Sequence, residues 1–257
     1  MRIVFGVNGG ADPENRTNLR AGKPDMLLYA DEDIVVAVKP SGIPTTPAKN
    51  CARDIISVLL TAHPELDSTT LKPVHRLDRP VGGILLMTRS PRAERFFSPV
   101  GAKQSMEKRY TAVVCGRPQI GHGTLHDLIL PDRLSNLSRI VGDGTKGAVE
   151  ALLYYETVEE ITLPDSTPGT VLDIRLLTGR RHQIRAQMAH AGCPIWGDSR
   201  YGGTVIGEHA RVALFAHQLV ITHPATRKQM IFRADPVLFE PDAFAVLRKE
   251  EKEGRND

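Results

Sequence analysis

Short apolar runs and alternating segments dominate the chain and predict mostly β-strands. Residues 34–38 and 84–87 are continuous apolar runs of strand length, as expected for strands buried on both faces. Residues 108–115 and 172–176 alternate in polarity, which is typical of strands with one face in the core. The run at 34–38 passes into Lys39-Pro40-Ser41-Gly42, a turn signal.

Fewer segments predict helices. Residues 52–62 form one candidate, and a second begins with Ser90 as N-cap and Pro91 at the first helical position and extends to about residue 100. A third covers residues 181–191, with Gly192 as its stop. Because strands outnumber helices and do not alternate regularly with them, the pattern favours the α+β class. We expect a mixed, largely antiparallel sheet flanked by helices and loops.

The composition of the 257 residues matches a soluble globular protein, with 41% hydrophobic and 25% charged residues. No apolar run approaches the roughly 18 residues of a membrane span, and the apolar start of the chain is too short for a signal peptide. The three cysteines are far apart, which argues against a disulfide framework and suits the cytoplasm. We expect one catalytic domain at residues 25–247 between an N-terminal tail, 1–24, and a charged C-terminal tail, 248–257.

Positive charge is concentrated in one part of the chain. Residues 72–117 contain ten Lys or Arg against three Asp or Glu, although the formal net charge of the whole chain is only +3. Such a segment is either an ordinary solvated face or a surface for a polyanion, since phosphate neutralisation supplies most nucleic-acid affinity.

Several motifs of other enzyme classes fail on spacing. The glycines at 202–207 and 142–147 lack the lysine or the strand-to-helix frame of a phosphate loop, so both segments are predicted to be turns. There is no HExxH, no GxSxG and no Cys/His signature. We therefore expect no metal and no cofactor.

The segment HRLDRPVGGILLMTR places Asp78 between Arg76 and Arg79, ahead of a Pro/Gly turn and an apolar strand. Nearby positive charge favours the ionised form of a carboxyl group, which can then act as a nucleophile or a base. Considered alone, such a segment is more often a surface ion pair that contributes little to stability.

Two further segments carry candidate chemistry. LLTGRRHQIR brings three arginines, a histidine and a glutamine close behind a strand, a group that can hold phosphates or supply an arginine to a buried carboxylate. KRY at 108–110 places a tyrosine among cations, the type of residue that stacks on RNA bases, although such a tyrosine is more often part of a core.

Together, HRLDRPVGGILLMTR, KRYTAVVCG, LLTGRRHQIRAQMAHAGCPIWGDSRYG and FAHQLVITHP resemble the successive motifs of the RluA/RsuA-type pseudouridine synthases, closer to the RluA type. The resemblance covers about residues 27–236. It implies that Asp78 is the catalytic carboxylate, that Arg185 pairs with it and that Tyr110 packs on the target uracil. The RNA contacts that it implies are Arg76, which helps to displace the flipped nucleotide, and Arg79, Lys108, Arg180, Arg181, His182 and Gln183.

The resemblance also implies the activity, which is isomerisation of a specific uridine in structured rRNA or tRNA to pseudouridine. We expect the chain to lack the small basic RNA-binding module that many relatives carry before the catalytic domain, and therefore to be a monomer. One departure is Gly82, where the family usually has serine; we expect it to alter a turn and not the carboxylate. Two alternatives stay open, an RNA-binding or chaperone protein with weak or lost catalysis and a metal-dependent nuclease. The residues do not identify the RNA or choose between a nucleophilic and a glycal route.

Overall fold

The computed structural model describes residues 19–20, 23–47, 53–66, 71–98, 105–132, 134–204 and 211–247. Most of the expected N-terminal tail and all of the expected C-terminal tail therefore lie outside the described residues. Across the described ranges, none of the helices has the length and apolar character needed to cross a membrane.

Strands make up most of the described chain. In chain order they are β1 (Leu19–Arg20), β2 (Lys23–Pro24), β3 (Leu27–Ala30), β4 (Ile34–Lys39), β5 (Lys72–Pro73), β6 (Gly82–Thr88), β7 (Met106–Cys115), β8 (His122–Asp132), β9 (Leu137–Val141), β10 (Val149–Thr162), β11 (Pro168–Leu176), β12 (Leu214–Thr222) and β13 (Gln229–Arg233). The helices are α1 (Ile55–Ala62), α2 (Pro91–Phe96), α3 (Gln183–His190) and α4 (Pro236–Phe239), with short 3-10 turns at Ser199–Tyr201 and Ala245–Leu247.

One large mixed sheet organises the fold. Its strands follow the spatial order β3-β4-β6-β12-β7-β11-β10-β8-β9, with β5 paired to β6 and β13 paired to β12, while β1 and β2 pair separately. Among the described strands, β6 and β12 form the one parallel pair and the other pairs are antiparallel. The prediction of an α+β fold with a mixed, largely antiparallel sheet is confirmed.

The strands predicted from apolar runs are present with small shifts. The run at 34–38 becomes β4 and the run at 84–87 lies in β6, and both strands are buried along their whole length. The alternating segments lie in β7 and β11. The segment 131–147 is in large part the hairpin of β8 and β9 and includes strand β9 at Leu137–Val141.

The predicted helices are shorter than their sequence patterns. Ser90 caps α2 and Pro91 opens it as expected, but the helix ends at Phe96 and not near residue 100. The first helix begins at Ile55 because Asp54 caps it by accepting the Ser57 N–H, and the expected start at residue 52 falls outside the described residues. The third starts at Gln183, so Arg180 and Arg181 belong to the loop before it.

The parallel junction between β6 and β12 brings the Asp78 loop into the middle of the sheet. Gly83 lies opposite Ala216 of β12, and Ala216 lies opposite Tyr110 of β7. Gly83 has φ +127°, and a Cβ there would stand 2.4 Å from the Ala216 backbone nitrogen, so only glycine permits this approach. With neighbouring strands roughly 4.8 Å apart, Tyr110 is two strands away from the end of the Asp78 loop.

Candidate active site

The loop that carries Asp78 is held on both sides of this residue by the segment that follows β4. Thr45 Oγ1 donates a hydrogen bond to the Leu77 carbonyl at 2.9 Å and receives one from the Leu77 N–H at 3.1 Å. The Arg79 carbonyl accepts the Gly42 N–H at 2.7 Å, and Arg79 Nε donates to the Gly42 carbonyl at 2.9 Å. The backbone is therefore fixed directly before and after the carboxylate, which limits its movement.

Beneath this loop lies Lys39, a fully buried lysine at the end of β4. Its Nζ donates to the carbonyls of Pro40 and Ile43 at 2.9 and 2.8 Å and lies 3.5 Å from the Arg79 carbonyl. Burial lowers the pKa of Lys39 to about 7, and two nearby carboxylates oppose this shift. The lysine thus joins the segment that follows β4 to the loop that carries Asp78.

Arg185 of α3 lies between two carboxylates. It is 2% exposed, and its Nη1 is 3.3 Å from Asp78 Oδ2, so the expected pairing with Asp78 is present in the structure. Its shorter contacts are with Asp198, from Nε to Oδ2 at 2.6 Å and from Nη2 to Oδ1 at 2.8 Å. Asp198 is 1% exposed. The bidentate pair fixes the plane of the guanidinium and leaves its third nitrogen for Asp78.

His182 lies on the other side of Arg185 and also faces Asp78. Its Nε2 is 3.7 Å from Asp78 Oδ2, and its Nδ1 is 2.9 Å from the Tyr201 hydroxyl. Burial lowers the pKa of His182 to about 4; the Asp78 charge opposes this shift, and neighbouring arginines reinforce it. The imidazole is therefore neutral near pH 7. The Tyr201 ring also lies under the Arg185 guanidinium, 4.9 Å from ring centroid to Cζ.

Tyr110 and Lys108 lie on the same face of β7, because side chains two residues apart point to the same side of a strand. Tyr110 is 5% exposed, and burial, together with the Asp78 charge, raises its pKa. Burial lowers the pKa of Lys108. Both side chains line the same cavity as Asp78, which itself is 25% exposed. A planar apolar ring and a cation therefore lie within one recess beside the carboxylate.

This cavity has a volume of about 1040 Å³ and an exposed basic rim. The rim holds five exposed arginines: Arg76, Arg79, Arg180, Arg181 and Arg200, of which Arg200 was not predicted from the sequence. The ten residues predicted as site residues all line it: Arg76, Asp78, Arg79, Lys108, Tyr110, Arg180, Arg181, His182, Gln183 and Arg185. Residues from three separate segments of the chain thus surround one recess.

Gln183 differs from the other predicted RNA contacts. It is 3% exposed, and its side-chain oxygen accepts from Thr178 Oγ1 at 2.8 Å and from the Arg180 N–H at 2.9 Å. Its amide nitrogen donates to the Leu152 carbonyl at 3.1 Å and to Gln187 Oε1 at 3.0 Å. With its amide fully engaged, its placement favours a role in holding the loop over contact with RNA.

Three residues near the carboxylate were missed at the level of sequence: Lys39, Asp198 and Tyr201. Asp198 and Tyr201 lie within the motif GDSRYG, and Lys39 ends a buried strand run. A lysine that continues an apolar run, and an aspartate beside the only tryptophan of the chain, were the available signals. Neither indicates a partner, because the contacts connect segments far apart in the sequence.

Comparison with known proteins gives concordant results. The sequence profile described as RNA pseudouridylate synthase matches residues 33–190. The chain is 30% identical over 225 residues to tRNA pseudouridine synthase C of Vibrio vulnificus (strain CMCP6), covering 81% of this chain and 89% of that protein. It is 31% identical over 230 residues to ribosomal large subunit pseudouridine synthase C of Pasteurella multocida (strain Pm70), covering 86% and 67%. Human RNA Pseudouridylate Synthase Domain Containing 1 has a similar fold, with a TM-score of 0.66, 21% identity and coverage of 86% and 87%.

Proposed function

The chain belongs to the RNA pseudouridylate synthase family and is an RNA pseudouridine synthase, and from this premise we propose that Asp78 is its catalytic carboxylate. The observation that carries the assignment is the shared cavity. Asp78 lies there with its Oδ2 3.3 Å from the buried Arg185, beside Tyr110 and under a rim of exposed arginines. A carboxylate, an aromatic ring and a phosphate-binding rim are what chemistry on a single nucleotide of RNA requires.

The reaction breaks the bond between ribose C1′ and uracil N1 and forms a bond between C1′ and C5. The proton on C5 is lost and N1 gains a proton, so the composition of the nucleotide does not change. Arg185 remains protonated and places its positive charge 3.3 Å from Asp78 Oδ2, an arrangement that suits two routes. Asp78 either attacks C1′ and is displaced again by C5, or removes a ribose proton so that a glycal forms as uracil departs.

The remaining side chains bind and orient. The target nucleotide must leave its stack, because C1′ and C5 are not accessible within a helix, and the cavity next to Asp78 is large enough to receive it. We assign to Tyr110 the role of packing against the uracil ring. We assign to Arg76 the role of occupying the position in the RNA stack that the flipped nucleotide leaves. Arg79, Arg180 and Arg181 bind phosphates, with Lys108 and His182 deeper in the recess.

The substrate in this proposal is a uridine of structured tRNA or rRNA, the two classes of RNA that the names of the relatives give for those proteins. Action as a monomer in the cytoplasm, without a metal, belongs to the same proposal. Pseudouridine mapping of total RNA from cells with and without the gene identifies the nucleotide, since the modified position is lost when the gene is removed.

The test of the assignment is Asp78→Asn, a change that keeps the size of the side chain and removes its charge. The substrate is RNA labelled with 5-tritiated uridine and purified from cells that lack the gene, and tritium release measures the loss of the C5 proton. We expect a rate lowered by about 1,000-fold or more, the order observed when a member of a catalytic group is removed. RNA binding should be retained because the basic rim is unchanged.

Asp165→Asn is the matched control, because Asp165 lies in the exposed turn between β10 and β11 and accepts two local hydrogen bonds, from the N–H and the hydroxyl of Thr167. Retained tritium release by Asp78→Asn would refute the assignment. Wild-type protein that binds this RNA tightly without releasing tritium would instead support an RNA-binding or chaperone function. The feature that motivated that alternative, Gly82, packs against Phe215 and Glu240 and begins β6, so it belongs to the strand and not to the predicted turn.

A further inference from the structure

The two side chains that approach the Asp78 carboxylate meet the same oxygen. Arg185 Nη1 is 3.3 Å from Oδ2, and His182 Nε2 is 3.7 Å from Oδ2. Within the described part of the chain, the hydrogen bonds of the Asp78 carboxylate are made by Oδ2, and Oδ1 accepts none. The two oxygens are therefore not equivalent, and the side chain of His182 contributes to the difference.

The hydrogen bonds of Tyr201 favour one of the two neutral tautomers of His182. The Ser138 N–H donates to the Tyr201 hydroxyl oxygen at 2.7 Å. Burial raises the pKa of Tyr201, so the phenol keeps its proton near neutral pH. Since Ser138 already supplies a hydrogen to this oxygen, the hydroxyl proton is free to point at His182 Nδ1, 2.9 Å away.

A neutral imidazole that accepts at Nδ1 must carry its proton on Nε2, the nitrogen that faces Asp78. The backbone conformation of His182 is also unusual. His182 has φ 50° and ψ 25°, a left-handed conformation that non-glycine residues rarely adopt, and its side chain does not cap α3, the helix that it precedes. The surrounding contacts hold the imidazole between the tyrosine and the carboxylate instead.

We propose that Tyr201 and His182 are positioning residues for the reaction. Hydrogen bonds run from the Ser138 N–H to Tyr201, from the Tyr201 hydroxyl to His182 Nδ1, and from His182 Nε2–H towards Asp78 Oδ2. Together with Arg185, this series of hydrogen bonds restrains Oδ2 of Asp78 and leaves Oδ1 as the oxygen that contacts the nucleotide. The distance of 3.7 Å is long for a hydrogen bond, and contacts of this type often shorten when the substrate binds.

The proposal rests on the function assigned to Asp78, but its first test does not depend on activity. In protein with 15N-labelled histidines, the ring-nitrogen shifts of His182 report which nitrogen is protonated, and the His182→Gln variant identifies its signals. At neutral pH we expect an unprotonated Nδ1 and a protonated Nε2. In Tyr201→Phe, which keeps the ring under Arg185 but lacks the hydroxyl, we expect part or all of the proton to move to Nδ1.

The second test is the rate of tritium release from the same RNA at excess enzyme, so that binding and chemistry are measured separately. Loss of a hydrogen bond to a charged group corresponds to a rate lowered by about 10-fold to 100-fold, and we expect this range for Tyr201→Phe with RNA affinity unchanged. His182→Gln should retain more activity than His182→Asn, because a glutamine amide can reach the place of Nε2 and an asparagine amide reaches only that of Nδ1.

Tyr155→Phe is the matched control, since Tyr155 is a buried tyrosine whose hydroxyl donates to the Ile120 carbonyl at 3.1 Å, and it lies outside the cavity. Thermal unfolding of each variant distinguishes lost fold from lost rate. A wild-type His182 with its proton on Nδ1 would overturn the proposal. So would a Tyr201→Phe variant that releases tritium as fast as Tyr155→Phe, or equal rates for the Gln and Asn variants. If wild-type protein releases no tritium, the assignment of the function fails, and the nitrogen shifts still test the hydrogen-bond chain.

Discussion

Asp198→Asn tests whether Arg185 depends on a second buried carboxylate. The variant keeps the shape of the side chain but replaces one oxygen with an NH2 group, which would face a guanidinium nitrogen. Because Arg185 and Asp198 are 2% and 1% exposed, water cannot take the place of the lost acceptor. The arginine then retains one neutral hydrogen bond to the new amide and its contact of 3.3 Å with Asp78.

The expected loss follows from these contacts. Removal of one partner of a buried ion pair costs about 3–5 kcal/mol, because the other charge stays buried without compensation. The Asp78 carboxylate supplies part of that compensation, so we expect the lower end, about 3 kcal/mol. Arg185 should also move towards Asp78, which lowers the rate of tritium release.

The assay is urea unfolding of the wild type, Asp198→Asn, Arg185→Met and the double variant. Asp198→Asn should lower the midpoint with little change in the slope. The double variant should be more stable than the sum of the single losses predicts, because neither charge is left alone in the interior. A loss below about 1 kcal/mol for Asp198→Asn, or additive losses in the double variant, would refute the reasoning.

Two other predictions concern the support of the Asp78 loop. Burial lowers the pKa of Lys39 from 10.5 to about 7, so between these pH values the lysine binds more protons in the unfolded chain than in the folded one. The free energy of unfolding should therefore rise with pH over this range. Lys39→Met should reduce this pH dependence in unfolding measurements from pH 7 to 10. Gly82→Ser would place a Cβ 2.9 Å from Glu240 Oε1, the acceptor of the Ser41 N–H, and should lower the unfolding free energy by about 1–3 kcal/mol. An equal pH dependence of stability in the wild type and Lys39→Met would contradict the first prediction. A Gly82→Ser variant as stable as the wild type in urea would contradict the second. The rate of tritium release per folded Gly82→Ser molecule should equal that of the wild type.

Local pattern was sufficient for much of the fold and for the family that the chain resembles. Continuous and alternating apolar segments located β4, β6, β7 and β11, because burial on two faces or one face leaves a direct trace in the residue order. The segments around Asp78, Tyr110 and Arg185 carried enough specific chemistry to indicate the family. The ends of the helices were less predictable, because capping contacts such as that of Asp54 decide them residue by residue.

The remaining features depend on pairs of residues that are distant in the chain. Nothing in the residue order relates Gly83 to Ala216, since strand register arises only when the sheet is assembled. The contact of Arg185 with Asp78, 107 positions away, was expected only through the resemblance to a family and not from the spacing of the residues. The sequence by itself indicated the carboxylate, the arginine and the tyrosine that we propose for the site. The tertiary structure alone decided that Arg185 is held chiefly by Asp198, and that Tyr201 contacts His182, whose other nitrogen faces one oxygen of Asp78. The reason is that the partners of buried charged and polar groups are the neighbours that folding brings together.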